Sequence, residues 1–190
     1  ENIPAGMSHE QYVEYCLWHL DSHIPEYIVP SENIAAVLIE PGLAEGGNWI
    51  PSGNFIKGIR KICDKHGWLM IADEVLTGLG RTAEMWGMDH YEVIPDMLIV
   101  GKNLSGGIAP CAGVATRDEI LGNNPSASSG STFAGTPAGC AAGLKTLEIY
   151  KRDKVIDHAK KLAQIAKLRM EPWCEKYSIV SETRKLGLLM

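Results

Sequence analysis

No uninterrupted apolar segment in this chain approaches the roughly 20 residues that a helix needs to cross a bilayer. The N-terminus also lacks the basic and apolar regions of a signal peptide, so a cytoplasmic location is expected. Long blocks of like charge are missing, and the net charge of −5 is mild. Neither nucleic acid nor an anionic membrane is therefore expected as a partner. The cysteines, at positions 16, 63, 111, 140 and 174, are odd in number and include no C-x-x-C, which suits a reduced compartment better than a disulfide framework. Cys16, His19 and His23 fall at i, i+3 and i+7 of an expected helix, a spacing that gathers side chains on one face. A zinc site needs a further ligand or an arranged water, so an ordinary helix face is expected and no metal. Internal repeats and low-complexity tracts are absent too.

What is present is a globular composition: 190 residues, 45% hydrophobic, enough for one large or two small domains with a core. Ser8 and Gln11 form a capping-box pattern, and Tyr12, Tyr15, Cys16, His19 and Leu20 continue at helical spacing until Pro25. Residues 33–40 read as a buried strand ending at Pro41-Gly42, followed by a loop carrying Glu45, Gly46 and Gly47. Ser52 caps a helix with Phe55, Ile56, Ile59, Ile62 and Cys63 on one side, ending near Gly67. Strands are expected at 69–72, 97–100 and 111–116, with a short helix at 118–121. The alternation reads β-α-β throughout. It predicts an α/β fold with a mostly parallel sheet and helices on both faces. Two helices follow, from Pro137 to about Tyr150 and from Lys154 toward Glu171, where Pro172 stops the second. Their expected buried stripe is Leu144, Leu147, Val155, Ile156, Ala159, Leu162, Ala163 and Ala166. The charged segment 151–154 is an expected bend between domains, and 178–180 and 186–190 read as further strands.

Two side chains close short apolar runs: Asp73 after 69–72 and Lys102 after 97–100. In an open parallel sheet, ligands bind outside the carboxyl ends of strands, so both would face one crevice. A buried carboxylate needs a cation or several donors to stay ionised. A protonated pyridine nitrogen would serve, with an attraction of about 4 kcal/mol at about 4 Å and an effective dielectric near 20. Alone, Asp73 is equally readable as a loop cap or metal ligand. A desolvated lysine is a usable amine, able to form a Schiff base and move protons, whereas Lys102 alone is also readable as a solvated loop residue. The hydroxyls and glycines of 130–137, just before a helix start, suit either phosphate binding or capping.

Taken together the segments resemble the class III, or ω-amino acid, aminotransferases of the fold type I pyridoxal phosphate enzymes. The ordered motifs are Ile39-Glu-Pro41 with Glu45-Gly-Gly47, Ala72-Asp-Glu-Val75 with Thr77-Gly-Leu-Gly-Arg-Thr82, Pro95-Asp96, Gly101-Lys102, Gly106-Gly107, and Ser131-Thr-Phe133 with Gly135 and Pro137. The resemblance implies pyridoxal 5′-phosphate as cofactor. It makes Lys102 the lysine that carries the cofactor covalently and moves the substrate proton, and Asp73 the partner of the pyridinium nitrogen. Val75 matches the apolar side chain on one ring face. Thr132 matches a threonine reaching the cofactor phosphate of the neighbouring subunit, which implies a homodimer. Glu45 matches the glutamate near the substrate. The implied activity moves an amino group from a 4-aminobutyrate-like ω-amino acid or primary amine to a 2-oxo acid.

The chain departs from the pattern at Leu76, where many members have a glutamine, at Gly42-Leu-Ala44, and at Ala83, which replaces a glycine. It is also shorter than family members. Their upstream Gly/Ser phosphate loop and downstream carboxylate-binding arginine have no counterpart here, so a central fragment is expected. Residues 1–150 would be part of the cofactor-binding large domain, and 151–190 a connecting helix and the beginning of the small domain. Two alternatives stand beside the transaminase: an amino acid racemase or epimerase of the same fold, and a noncatalytic fragment with an incomplete cofactor site.

Overall fold

A computed structural model of the chain describes residues 3–121 and 134–190. Helix α1 (His9–Trp18) opens with the expected capping box: the Ser8 side chain accepts from the Gln11 N–H and the Gln11 side chain accepts from the Ser8 N–H. Pro25 does not end this rod. A π-turn at His19–His23 intervenes, and α2 (Ile24–Tyr27) continues with Pro25 in its first turn. The wider turn, with the Ile24 N–H bonded to the His19 carbonyl, lets the ladder continue past a residue that has no N–H of its own.

Strand β1 (Ala36–Ile39) pairs in parallel with β2 (Leu69–Asp73), and β2 in parallel with β3 (Met97–Val100). Strand β4 (Gly113–Thr116) closes the sheet antiparallel to β3, giving the order β1-β2-β3-β4. The sheet is thus mostly parallel, as expected. The connections are less regular than a β-α-β alternation. Only the β1 to β2 crossover carries a long helix, α3 (Gly53–His66), whereas a 3₁₀ turn at Gly87–Tyr91 precedes β3 and another at Lys102–Ser105 precedes β4.

Helix α3 has the boundaries its sequence dictates. The Ser52 side chain accepts the Phe55 N–H, and Gly67 ends the helix at φ 73°, a conformation open to a residue without a Cβ. Its Ile56, Ile59, Ile62 and Cys63 pack on Met70 and Ala72 of β2, the main core of the fold. Each isoleucine withdrawn from water there contributes about 1.5–3 kcal/mol. Asp96, just before β3, ties four elements together. It accepts from Arg60 of α3 at 2.7 Å, from the Met70 N–H at 2.8 Å and from Arg117 after β4 at 3.0 Å, while its carbonyl accepts the Thr116 hydroxyl.

Beyond β4 come α4 (Asp118–Leu121), α5 (Pro137–Arg152), α6 (Val155–Met170) and α7 (Trp173–Lys176). The apolar stripe read across α5 and α6 is only half covered: Ala159 and Ala163 are buried, but Leu144, Leu147 and Leu162 are exposed. The buried positions of α5 are instead Gly139, Gly143 and Thr146, because this helix lies close against the Lys102–Ser105 turn. A Cβ on Gly139 would sit 2.9 Å from the Pro110 carbonyl oxygen, so the close approach requires glycine there. Residues 178–180 form a turn rather than a strand, and 186–189 form a turn closed by a Leu186–Leu189 bridge.

Candidate active site

Asp73 is the last residue of β2, and its Oδ1 accepts the Val75 N–H at 3.0 Å, which curls the chain as it leaves the strand. It lines a cavity of about 600 Å³ with Tyr12, Leu38, Glu40, Trp49 and Phe55. No Lys, Arg or His among the described residues forms an ion pair with it.

Lys102 follows β3 by two positions and begins the 3₁₀ turn at φ 45°, a left-handed conformation rare for a residue with a Cβ. Its side chain is exposed and lines a cavity of about 750 Å³ with Ser105, Cys111, Thr136 and Gly139. Register relates the two residues. Asp73 lies opposite Ile99, three positions before Lys102, so their backbones are offset by about 10 Å along adjacent strands. Val75, two residues after Asp73, packs beside the residue preceding Lys102: its methyls stand 3.6 and 3.7 Å from where a Cβ on Gly101 would be. Both residues therefore sit at the carboxyl end of the parallel strands, yet each lines its own cavity.

The other expected site residues are less tightly placed. Glu45 is exposed in the turn that Leu43 and Trp49 close, and it lines neither cavity. Thr132, with Ser131 and Phe133, lies outside the described residues. Cys16, His19 and His23 gather no metal set: among the described residues no group of three or more His, Cys, Asp or Glu is arranged to hold an ion. The His19 and His23 rings instead lie 4.8 Å apart in a row of aromatic contacts.

Three residues that carry the site's geometry escaped the sequence reading. Glu40 lines the Asp73 cavity and accepts the Ala44 N–H at 3.3 Å, though the Ile-Glu-Pro motif marked its position. Glu74 turns inward and is 2% exposed. It accepts the Thr77 hydroxyl and the N–H groups of Gly87 and Met88 at 2.8 Å, which pins the loop after β2. Burial pushes its carboxyl above the usual range against the pull of those three donors. Thr136 caps α5 by accepting the Gly139 N–H at 3.4 Å and lines the Lys102 cavity. It lies in the 130–137 hydroxyl and glycine segment, where capping is one of the two readings, but is not singled out there.

An exposed amine, a carboxylate without a cation and a nearby apolar side chain are, in their chemistry, the groups that a pyridine cofactor bearing an aldehyde would use. Comparison with known proteins decides the family: the model of "Aminotransferase class-III" matches residues 7–190. The chain belongs to that family. A probable 4-aminobutyrate aminotransferase of Bacillus subtilis is 33% identical to this class-III chain over 186 residues, 98% of the chain and 42% of the relative. The mitochondrial ornithine aminotransferase of Drosophila melanogaster is 38% identical over 157 residues, 83% of the chain and 36% of the relative. Among solved structures, taurine:2-oxoglutarate aminotransferase from Bifidobacterium kashiwanohense, in complex with PLP and glutamate, superimposes with a TM-score of 0.88 at 31% identity. That match covers 97% of this chain and 41% of the other. The class-III chain thus spans about two fifths of the length of these relatives. Among the described residues no helix is long and apolar enough to cross a membrane.

Two departures from the family pattern have a local explanation. Ala83, where members carry glycine, adopts φ 66°, the conformation glycine favours. At Leu76 it is the backbone that is engaged: its carbonyl accepts Arg81 Nε at 2.8 Å, so the loop is anchored whatever the side chain.

Proposed function

We propose that the whole protein is a pyridoxal phosphate-dependent transaminase that moves an amino group from an ω-amino acid or primary amine, 4-aminobutyrate-like, to a 2-oxo acid. The observation that carries this reading is the placement of Asp73 and Lys102 at the carboxyl ends of adjacent parallel strands, with Val75 packed beside Gly101. Relatives whose names include 4-aminobutyrate and ornithine aminotransferase support the substrate class.

When bound, the cofactor supplies an electron sink for the carbanion that forms at the substrate carbon. The chain's residues have separate tasks. The Asp73 carboxylate, fixed through Oδ1 by the Val75 N–H, keeps a proton on a ring nitrogen through charge attraction. Val75 presents methyls to one ring face. Lys102 holds the cofactor through its amine and then acts as base and acid, taking and returning the substrate proton. Glu45 serves near the substrate, and Thr132 of one protomer reaches the phosphate in its partner within a homodimer. Residues 1–150 belong to the large domain in this reading, and 151–190 enter the small one.

The test uses the chain mixed with pyridoxal phosphate, 4-aminobutyrate and 2-oxoglutarate. Visible absorbance of lysine-bound cofactor that vanishes in Lys102→Ala, together with glutamate formation, supports the proposal. Asp73→Asn lowers turnover up to about a thousandfold, from the attraction of about 4 kcal/mol between carboxylate and ring proton. With a single enantiomer of a chiral amino acid supplied in place of 4-aminobutyrate, loss of chirality without glutamate formation would instead identify a racemase, and protein that stays colourless in excess cofactor would identify a noncatalytic chain. Near-normal rates in Asp73→Asn would refute the role of that residue.

A further inference from the structure

Away from Asp73 and Lys102, the loop after β2, helix α6 and the 186–189 turn enclose a separate cavity of about 510 Å³. Its lining is basic. Lys160, Lys161, Lys167 and Lys185 contribute to it, with His90, against a single acid, Glu84. Glu84 holds Lys160 at 2.8 Å, and Glu171, which does not line the cavity, reaches Lys167 at 3.8 Å. Lys161 and Lys185 form no ion pair among the described residues, so two ammonium groups on different elements remain to attract an anion.

The cavity is built rather than incidental. Gly187, at φ 63°, is pressed so tightly on the Thr82 backbone that a Cβ there would lie 2.0 Å from the Thr82 carbonyl, and the Leu188 N–H donates to the Arg81 carbonyl at 3.1 Å. His90 Nε2 meets the same Thr82 carbonyl oxygen at 2.9 Å. Thr82 itself is 0% exposed, lines the cavity, and its Oγ1 has no hydrogen-bond partner among the described residues. A buried hydroxyl left unmatched is unfavourable, and here it lies in the wall of a cationic enclosure.

We propose that this cavity binds a small phosphate-bearing anion of at least two negative charges. Phosphate oxygens can accept the Thr82 hydroxyl and the Lys161 and Lys185 ammoniums together, in charge-assisted hydrogen bonds. Thr82 belongs to the loop that begins beside Asp73, so an anion bound here would touch the segment that leads from the candidate active site. The source is either a free inorganic ion or a phosphate ester, and the two differ in what the organic part adds.

Titration calorimetry at low salt tests this, using inorganic phosphate, pyrophosphate and a sugar phosphate in separate arms. At least one probe binds the unaltered chain, and affinity falls as salt screens the lysines. Tighter binding of the sugar phosphate than of the inorganic probes assigns an ester, and the reverse order a free ion. The double variant Lys161→Glu/Lys185→Glu, checked for folding by circular dichroism, weakens binding at least about tenfold. Thr82→Val keeps the shape of the wall and weakens it several-fold, while Lys151→Glu, outside the cavity, leaves it unchanged. Absence of binding by every probe, or binding that survives the double charge reversal, overturns the proposal. None of these readouts depends on transaminase activity.

Discussion

Replacing Tyr91 by phenylalanine separates a lost hydrogen bond from a lost titration. The Tyr91 hydroxyl donates to the Pro41 carbonyl at 2.7 Å, joining the 3₁₀ turn before β3 to the loop that leaves β1 beside Glu40. The ring is 6% exposed. Burial, reinforced by the nearby Glu74 carboxylate, pushes the phenol up to about 12 from an ordinary 10.0. At neutral pH the substitution leaves the Pro41 carbonyl without that donor and costs about 1–2 kcal/mol. Alkali acts in the other direction. The phenol is an acid whose folded pKa is raised, so its stabilisation is complete below about pH 10 and is lost as pH rises through the folded value. The loss reaches about 1.4 kcal/mol at about pH 11 and approaches about 2.7 kcal/mol above the folded pKa, on the order-of-magnitude scale of such linkage. The unaltered chain suffers it and the phenylalanine variant does not. Urea unfolding followed by tryptophan fluorescence at a series of pH values gives both stabilities, and the difference between the chains shrinks to zero near about pH 11. Every other side chain is common to both chains and cancels in the difference. A stability difference that stays constant from pH 7 to 11 would refute the reasoning, because the hydroxyl would then ionise as freely folded as unfolded.

Two further substitutions probe the carboxylates that organise the sheet. Glu74→Gln places an amide NH₂ against one of the N–H groups of Gly87 or Met88 and destabilises by about 1–3 kcal/mol, read as a lower urea midpoint with unchanged slope. Burial raises the Asp96 carboxyl, but the Met70 N–H and the Arg60 and Arg117 guanidiniums more than offset it, so the net direction is down. Asp96 therefore stabilises the fold fully above an unfolded pKa of about 3.9 and loses that contribution as pH falls through its lower folded value. Asp96→Asn costs about 2–4 kcal/mol at neutral pH, and the deficit shrinks in acid unfolding curves as the Asp96 carboxyl takes up its proton.

How far the sequence reached depended on how local each signal was. Ser52 and Gly67 bound α3 correctly because a cap hydroxyl and a left-handed glycine act within one turn. Residues 97–100 were legible as a strand from composition alone, whereas the antiparallel sense of β4 rests on its pairing with β3 and leaves no periodic trace. The same limit explains Leu144, Leu147 and Leu162: helical spacing shows which residues share a face, and tertiary packing settles whether that face is covered. Pro25 misled because the rule that ends helices assumes a regular ladder, and a π-turn supplies another. In the candidate site, Asp73 and Lys102 stood out as polar ends of apolar runs. Glu74 adjoins Asp73 and is chemically similar, and only the inward turn of the chain toward Gly87 and Met88 gives it a structural task.

The left-handed backbone at Lys102 has a bearing on why lysine occupies that position at all. A residue with a Cβ held at φ 45° sits about 1–2 kcal/mol above its preferred conformations, and glycine would sit there without that strain. Conformational preference and side-chain chemistry thus oppose each other at one residue. The bend that strains Lys102 is the same bend that carries it from β3 to the cavity beside α5, so in the proposed transaminase the backbone cost and the placement of the amine arise from a single turn.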